Sequence, residues 1–444
     1  MAQGYWRLGR AEQPAVFQLT FRKHPFQGNY TVACGLATVI EFLQNYSFTK
    51  EDLNYLRSLK NNDDKALFHP GFLDYLSQLR FSCDIDAIPE GTLVFPQEPL
   101  LRIQGPLLQC QLIETTLLNF LNFSSLVATA AARICQVTQN DPVMEFGLRR
   151  AQGPDGGMTA SRSSYIGGCD STSNVLAGKV FGIPVKGTVA HSWIMSYDDE
   201  LTAFQEFVKA SDNTTLLVDT YNSIQGIKNA ITIGKQLRKE KRDLFAVRLD
   251  SGDLLKLSKQ ARRLLDAAGF KKTKIIGSGD LNVEKIKLLK KNKAPIDMWG
   301  VGTKLVTAYE QPSLDAIYKL TALYENGRWQ YKMKLSDAPE KMTYPGIQQV
   351  RRYFHEDKML NDIIYDTQLS IDATLPNKAN RFHDLVVPIF RQGKLVYQQP
   401  PLHKIREFCL EQVKVFAQQR QKKYSVKLEK QLSEVKSKLT HQHE

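Results

Sequence analysis

The chain has 444 residues, 42% hydrophobic and 24% charged, the usage of a globular protein of about two or three domains. That composition excludes disordered, collagen-like and low-complexity classes. The net charge of +13 invites anionic ligands, but no stretch interleaves Lys and Arg with aromatics, so nucleic acid is not an expected partner.

The start, MAQGYWRLGR, lacks the apolar core of a signal peptide. No run reaches the roughly 18 consecutive apolar residues of a membrane span, so no membrane partner is expected. Val16 to Arg22 reads as a strand, and Ala33 to Asn45 and Lys50 to Leu59 read as helices. Leu93 to Gln104 combines prolines with alternation, which suits edge strands of a small antiparallel sheet. Residues 1–110 are therefore expected to form a mixed α/β domain. Gln111 to Ala132 has the length and composition of a buried helix.

A regular alternation follows. Short β-rich runs end in polar or Gly-rich tips, and a helical stretch follows each. With His191, Asp219, Asp250, Ser278 and Gly302 as markers, the steps are 28, 31, 28 and 24 residues. One strand, one helix and two loops have that length, which implies a parallel sheet with right-handed crossovers. A barrel or an open doubly wound sheet fits. The barrel is favoured because no G-x-G-x-x-G opens the first unit, and it is expected over 111–334. In either fold the tips converge on one rim, where ligands bind.

Beyond about Leu335 the pattern breaks into strand-like and loop segments, expected to return to the first domain over about 335–400. Residues 401–444 read as a Lys-rich helical tail, with Tyr424, Leu428, Leu432, Val435 and Leu439 as one apolar stripe. The six cysteines form no C-x-x-C pair. They read as buried reduced thiols of a cytoplasmic protein, without zinc-ligand spacing.

The tips carry the chemistry. Arg149 and Arg150 precede a turn-forming, Gly-rich segment and suggest an anion site, or an exposed pair beside a loop. His191 ends a strand one unit before Asp219; a carboxylate there could hold one imidazole nitrogen and make the other nucleophilic. A structural histidine is the alternative. Alternation puts Arg248 and Asp250 on one face of their strand, as a ligand-binding couple or as an ion pair at the mouth. The glycines of Ser278-Gly279-Asp280 and Gly300-Val301-Gly302-Thr303 let backbone N–H groups approach a phosphate.

Four segments, in order, resemble nicotinate phosphoribosyltransferases: Arg149 to Gly157, Gly187 to Ser192, Val247 to Asp253 and Gly300 to Thr303. The resemblance runs from Gly4 to at least Pro345. It implies a type II phosphoribosyltransferase fold, an irregular α/β barrel plus a mixed α/β N-terminal domain, in a homodimer with active sites near the interface. The implied ligase reaction joins nicotinate to 5-phosphoribosyl 1-diphosphate. It forms nicotinate mononucleotide and diphosphate, with coupled ATP hydrolysis and Mg2+ (or Mn2+), as the entry to NAD salvage from nicotinate.

By position, the resemblance makes His191 the histidine that ATP phosphorylates and Asp219 the group that orients it. Arg248 and Thr188 would hold nicotinate, and Asp250 the ribose hydroxyls. Arg149, Ser278, Gly279, Gly302 and Thr303 would hold phosphates. It identifies no metal ligands. Family members usually carry a segment of Thr-Asp-Leu-Tyr character ahead of the stretch that begins here at Met1, with a tyrosine that stacks on the pyridine. No counterpart stands in these residues, and weaker nicotinate binding is the expectation. A nicotinamide-specific enzyme would not need Arg248 as a charge partner, and a quinolinate enzyme needs no reactive histidine. A catalytically silent relative would not need His191, Arg248 and Asp250 together.

Overall fold

The repeating strand–helix period becomes a parallel sheet because the helix after each strand returns the chain to start the next strand in the same direction. The protein, seen in a computed structural model, is described over residues 1–336, 342–369, 371, 379–419 and 424–442. Parts of the expected returning segments and C-terminal tail lie outside the described residues. The chain divides into two compact units, residues 127–312 and residues 1–126 with 313–444.

In the 127–312 unit, six strands form one sheet: β1 (Val143–Glu145), β2 (Ser171–Thr172), β3 (Thr215–Leu217), β4 (Ala246–Leu249), β5 (Lys274–Gly277) and β6 (Met298–Val301). Their order is β2-β1-β6-β5-β4-β3, and every pairing is parallel. The sheet curls into an incomplete barrel, with β2 and β3 as its edges. Nearly every strand position is buried, as in sheets covered by helices on their faces. Helix Ser223–Lys239 shows how the cover is built. It buries Ile227, Ala230, Ile231, Gly234 and Leu237, one stripe at helical spacing.

The helices start from side-chain caps. Asn222, Asp253 and Asn282 each accept hydrogen bonds from the first turn of the helix that follows, a contribution of about 1 kcal/mol each. Asp253 belongs to a polar tip but serves its helix; Asn222 and Asn282 stand two residues past the tips that end at Thr220 and Asp280.

The His191 tip departs from the expected pattern. No strand leads into it; only an isolated parallel bridge between Thr172 and Val185 does. The 28-residue step from His191 to Asp219 therefore matches the period without a strand at its start. His191 instead opens a five-residue helix, His191–Met195.

The other unit is assembled from distant segments. Its seven-stranded sheet runs Arg328–Tyr331, Ala316–Glu325, Pro14–Phe21, Leu101–Pro106, Asp84–Ala87, Val387–Arg391, Lys394–Leu395, antiparallel throughout. Leu101–Pro106 is thus an interior strand, not the edge strand expected. Pro96 and Pro99 precede it and Pro106 is its last residue, so no proline interrupts the ladder. Leu93–Val94 pairs with Thr31–Val32 in a separate two-stranded ribbon. A four-stranded sheet joins Arg381–Asp384, Gln348–His355, Lys358–Asp366 and Ser425–Leu428.

The unit boundaries fall at 126/127 and 312/313, where the sequence suggested 110 and 334. Tyr318 donates to the Cys110 carbonyl at 2.7 Å, and Asn122 accepts from Leu314 N at 2.7 Å, so both flanks belong with the N-terminal segment. Residues 401–444 are not a single helical tail. Helix Leu402–Gln418 buries Ile405, Cys409, Val413 and Phe416. Ser425–Leu428 is a strand, paired in parallel with Lys358–Asp366, and a helix resumes at Lys430–His441. The apolar stripe misled because Tyr424 packs as a ring, stacked on Phe95 at 3.9 Å, outside any helix.

Helix Glu114–Thr138 has the length and hydropathy of a membrane span, but 67% of its apolar window is buried inside the protein, as a core helix is. None of the six cysteines is in a disulfide; five are buried and Cys135 is partly exposed.

Candidate active site

The strand tips of the 127–312 unit open onto one cavity of about 790 Å3. Arg248, second to last in β4, dominates its electrostatics. Its Nε donates to Ser278 Oγ at 2.9 Å, Nη1 to Thr188 Oγ1 at 2.7 Å and Nη2 to Asp250 Oδ1 at 2.7 Å. A guanidinium has five N–H groups, so one proton on each Nη stays uncommitted. The guanidinium carbon also lies 5.7 Å from the centroid of the Phe146 ring.

Asp250 closes the network. Burial pushes its carboxyl up, but the Arg248 charge, the Ser278 and Arg248 hydrogen bonds and His191 together hold it below the ordinary carboxylate range. Ser278 Oγ donates to Asp250 Oδ1 at 2.5 Å. The other oxygen, Oδ2, lies 3.8 Å from His191 Nε2. The remaining imidazole nitrogen, Nδ1, is 3.1 Å from Thr220 Oγ1.

Asp219 stands elsewhere than its expected place beside His191. Its Oδ2 accepts from Asp250 N at 2.8 Å and from Ser251 Oγ at 2.6 Å. Thr220 and Asp250, not Asp219, contact the imidazole. Asp219 lies two residues past Leu217, the end of β3, and its side chain reaches the neighbouring β4 tip, while Thr220 reaches His191. Asp219 Oδ1 is buried without a hydrogen-bond partner among the described residues.

Nine of the ten expected site residues line the cavity: His191, Thr188, Arg248, Asp250, Arg149, Ser278, Gly279, Gly302 and Thr303. Asp219 lies behind them. Gly279 has φ +92°, and a Cβ there would stand 1.9 Å from the Asp250 carbonyl oxygen. Only glycine lets these two tips touch. Arg149 and Arg150 occupy a short 3-10 turn, Leu148–Arg150, after β1.

Sequence reasoning missed Phe146, Ser173 and Leu217, which also line the cavity. Phe146 directly follows the last residue of β1, three before Arg149, so the same tip argument could have found it. Glu145 was also missed. It is 1% exposed and accepts from Gly147 N, from Ser161 Oγ at 2.9 Å and from Thr172 Oγ1 at 2.6 Å. It thereby ties the Phe146–Arg150 turn to helix Gly153–Ile166 and to β2.

A curled parallel half-barrel sheet in a mixed α/β chain, with its cavity at the strand C-terminal ends, is consistent with the type II phosphoribosyltransferase fold. Comparison with known proteins makes the placement narrower. The N-terminal, core and C-terminal domain models of nicotinate phosphoribosyltransferase match residues 1–122, 142–358 and 355–436. The nicotinate phosphoribosyltransferase of Bacillus subtilis is 41% identical over 425 residues, covering 92% of this chain and 85% of that one. The crystal structure of human nicotinic acid phosphoribosyltransferase superposes with a TM-score of 0.85 at 30% identity, over 99% of this chain and 98% of that one. A Pyrococcus furiosus nicotinate-nucleotide pyrophosphorylase superposes at 0.74 and 25% identity, over 94% and 93% of the two chains. The chain belongs to the nicotinate phosphoribosyltransferase family.

Proposed function

We propose that this chain transfers the phosphoribosyl group of 5-phosphoribosyl 1-diphosphate to the ring nitrogen of nicotinate, releasing diphosphate, with ATP hydrolysis coupled through a phosphohistidine at His191. The observation that carries the reading is the Arg248 fork. Its side chain is 14% exposed, it faces the cavity, and one N–H on each Nη remains for a ligand carboxylate. Nicotinate offers that carboxylate; nicotinamide does not.

The other roles follow from position. Asp250, held ionised, accepts the ribose hydroxyl protons. Arg149, with the Ser278-Gly279 and Gly302-Thr303 turns, receives phosphates. Cleavage of the C1–diphosphate bond builds positive charge on the ribose and negative charge on the leaving group. Among the described residues no cluster of three or more His, Cys, Asp or Glu could hold a metal ion. Asp250 and Asp280 line the cavity and are the hard oxygen donors that Mg2+ or Mn2+ arriving with the diphosphate would use. When bound there, the ion neutralises the leaving group.

His191 is held at Nδ1 by Thr220, so Nε2 is the nucleophile toward the ATP γ-phosphoryl group. The Nε2–P bond forms as the bond to the ADP oxygen breaks, and water later releases phosphate. The same reading carries a homodimer, a cytoplasmic location, which six cysteines outside any disulfide support, and a place at the entry of NAD salvage from nicotinate.

The test supplies purified protein with 5-phosphoribosyl 1-diphosphate, magnesium, ATP, and either nicotinate or nicotinamide. Mononucleotide is expected from nicotinate only, stimulated by ATP. His191→Ala should keep the ATP-independent rate and lose the stimulation. Equal use of nicotinamide would remove the role of Arg248, and unchanged ATP stimulation in the variant would remove that of His191.

A further inference from the structure

A second cavity, of about 460 Å3, lies within the unit formed by residues 1–126 and 313–444. It sits between the four-stranded sheet and helix Leu402–Gln418. Its deep residues are Arg352, Thr92, Met359 and Leu385, which are 1%, 4%, 3% and 5% exposed. Phe354 and Val415 continue the apolar walls, and Arg381, His383 and Phe408 stand at the mouth.

Arg352 is buried, yet it is not fully spent. Its Nε and Nη2 reach Asp362 at 2.9 and 2.6 Å, and Nη2 lies 3.9 Å from Glu98. Nη1 makes no hydrogen bond among the described residues, and neither does the Thr92 hydroxyl. Nη1 opens onto the cavity, where water or the acceptor of a ligand can meet it.

The charges select the ligand class. Asp362, which also accepts from Tyr424 at 2.8 Å, neutralises Arg352. At the mouth, Asp357 pairs with Arg381 at 3.0 Å, and Glu411 adds a further negative charge. Burial, and then the Asp362 charge, push the Glu98 carboxyl well above its ordinary range. The cavity thus offers an anion no net attraction. In this it is unlike the active site, where Arg149, Arg150 and Arg248 converge. What remains is a hydrogen-bond donor at the end of an apolar, aromatic slot.

We infer that this cavity binds an uncharged, planar ring compound bearing a carbonyl acceptor, with the carbonyl on Arg352 Nη1 and the ring against Phe354, Met359 and Leu385. Its volume lies at the lower end of the roughly 300–1,000 Å3 of ligand pockets, room for a fused bicyclic compound.

The test uses the full chain and equilibrium dialysis with coumarin, an uncharged bicyclic lactone, and with its carboxylate derivative as the anionic control. Substituting Arg352 could unfold the protein, so Val415→Trp, which fills the slot from a partly exposed helix position, is the main variant. Thr92→Val is the second, and melting temperatures verify both folds. Saturable coumarin binding is expected, weakened at least tenfold by Val415→Trp and at least tenfold weaker for the carboxylate. Saturating nicotinate and 5-phosphoribosyl 1-diphosphate should not displace it. Coumarin that does not bind, that binds a folded Val415→Trp unchanged, or that those substrates displace would overturn the site. Equal affinity for the carboxylate would overturn the ligand class.

Discussion

Arg248 and Asp250 show how far one residue's neighbourhood can be read. Alternation placed both on one face, and the structure joins them at 2.7 Å. A lysine cannot present the same fork. Arg248→Lys should therefore lower kcat/KM for nicotinate by about two orders of magnitude, mostly through KM, in steady-state assays. A residual KM near that of the parent would show that Arg248 only braces Asp250. Asp219 marks the limit of such reading. Its strand tip was legible, but the direction of its side chain depends on the local backbone path after β3, which spacing does not report. His24 was not singled out at all. Burial lowers it from 6.5 to about 4, with Nδ1 3.0 Å from Thr31 Oγ1. The unfolded chain binds this proton first, so the stability that neutral His24 contributes is complete above pH 6.5 and declines as pH falls toward 4. The loss is bounded at about 3 kcal/mol. Urea midpoints measured across that window should fall, and His24→Asn should flatten the decline.

At the scale of elements, the hexapeptide Arg248 to Asp253 divides its labour. Asp250 serves the cavity, while Asp253 accepts from Lys256 N at 3.1 Å and caps helix Leu254–Ala267. Asp253→Ala should cost about 1 kcal/mol in denaturant unfolding and leave KM for both substrates unchanged. Gly279→Ala should behave differently. Its Cβ would collide with backbone, the Asp250 carbonyl at 1.9 Å, in a left-handed conformation. No side-chain rotation relieves that. A stability loss of about 2 kcal/mol or more is expected, with turnover falling beyond what lost folding explains because the Asp250 tip must move. Parent-like turnover would show that the two tips need not touch. The βα elements were legible because each is local, a short apolar strand, a polar tip and a helix with its own cap. The strand Ser425–Leu428 was not. It forms by pairing with Lys358–Asp366, a non-local gain that overrode a helical spacing of apolar residues.

At the scale of the whole molecule, what escaped the sequence was partnership. Strand Pro14–Phe21 pairs with Ala316–Glu325, and no local pattern announces a partner so far along the chain. Net charge was legible, and its meaning depends on distance. Lys271 and Lys272 precede β5, while Ser278 and Gly279 follow it. The four residues of β5 span about 13 Å, and the Debye length at physiological ionic strength is about 8 Å. The charge of Lys271 and Lys272 is therefore largely screened from a diphosphate at the rim, whereas Arg149, Arg150 and Arg248 line the cavity itself. Raising potassium chloride should lower kcat/KM for 5-phosphoribosyl 1-diphosphate several-fold while kcat changes little. The Lys271→Glu, Lys272→Glu double variant should keep that salt dependence, and Arg150→Ala should flatten it. If the lysine variant flattened it instead, capture of the anionic substrate would belong to the charge of the whole surface rather than to the rim of the cavity.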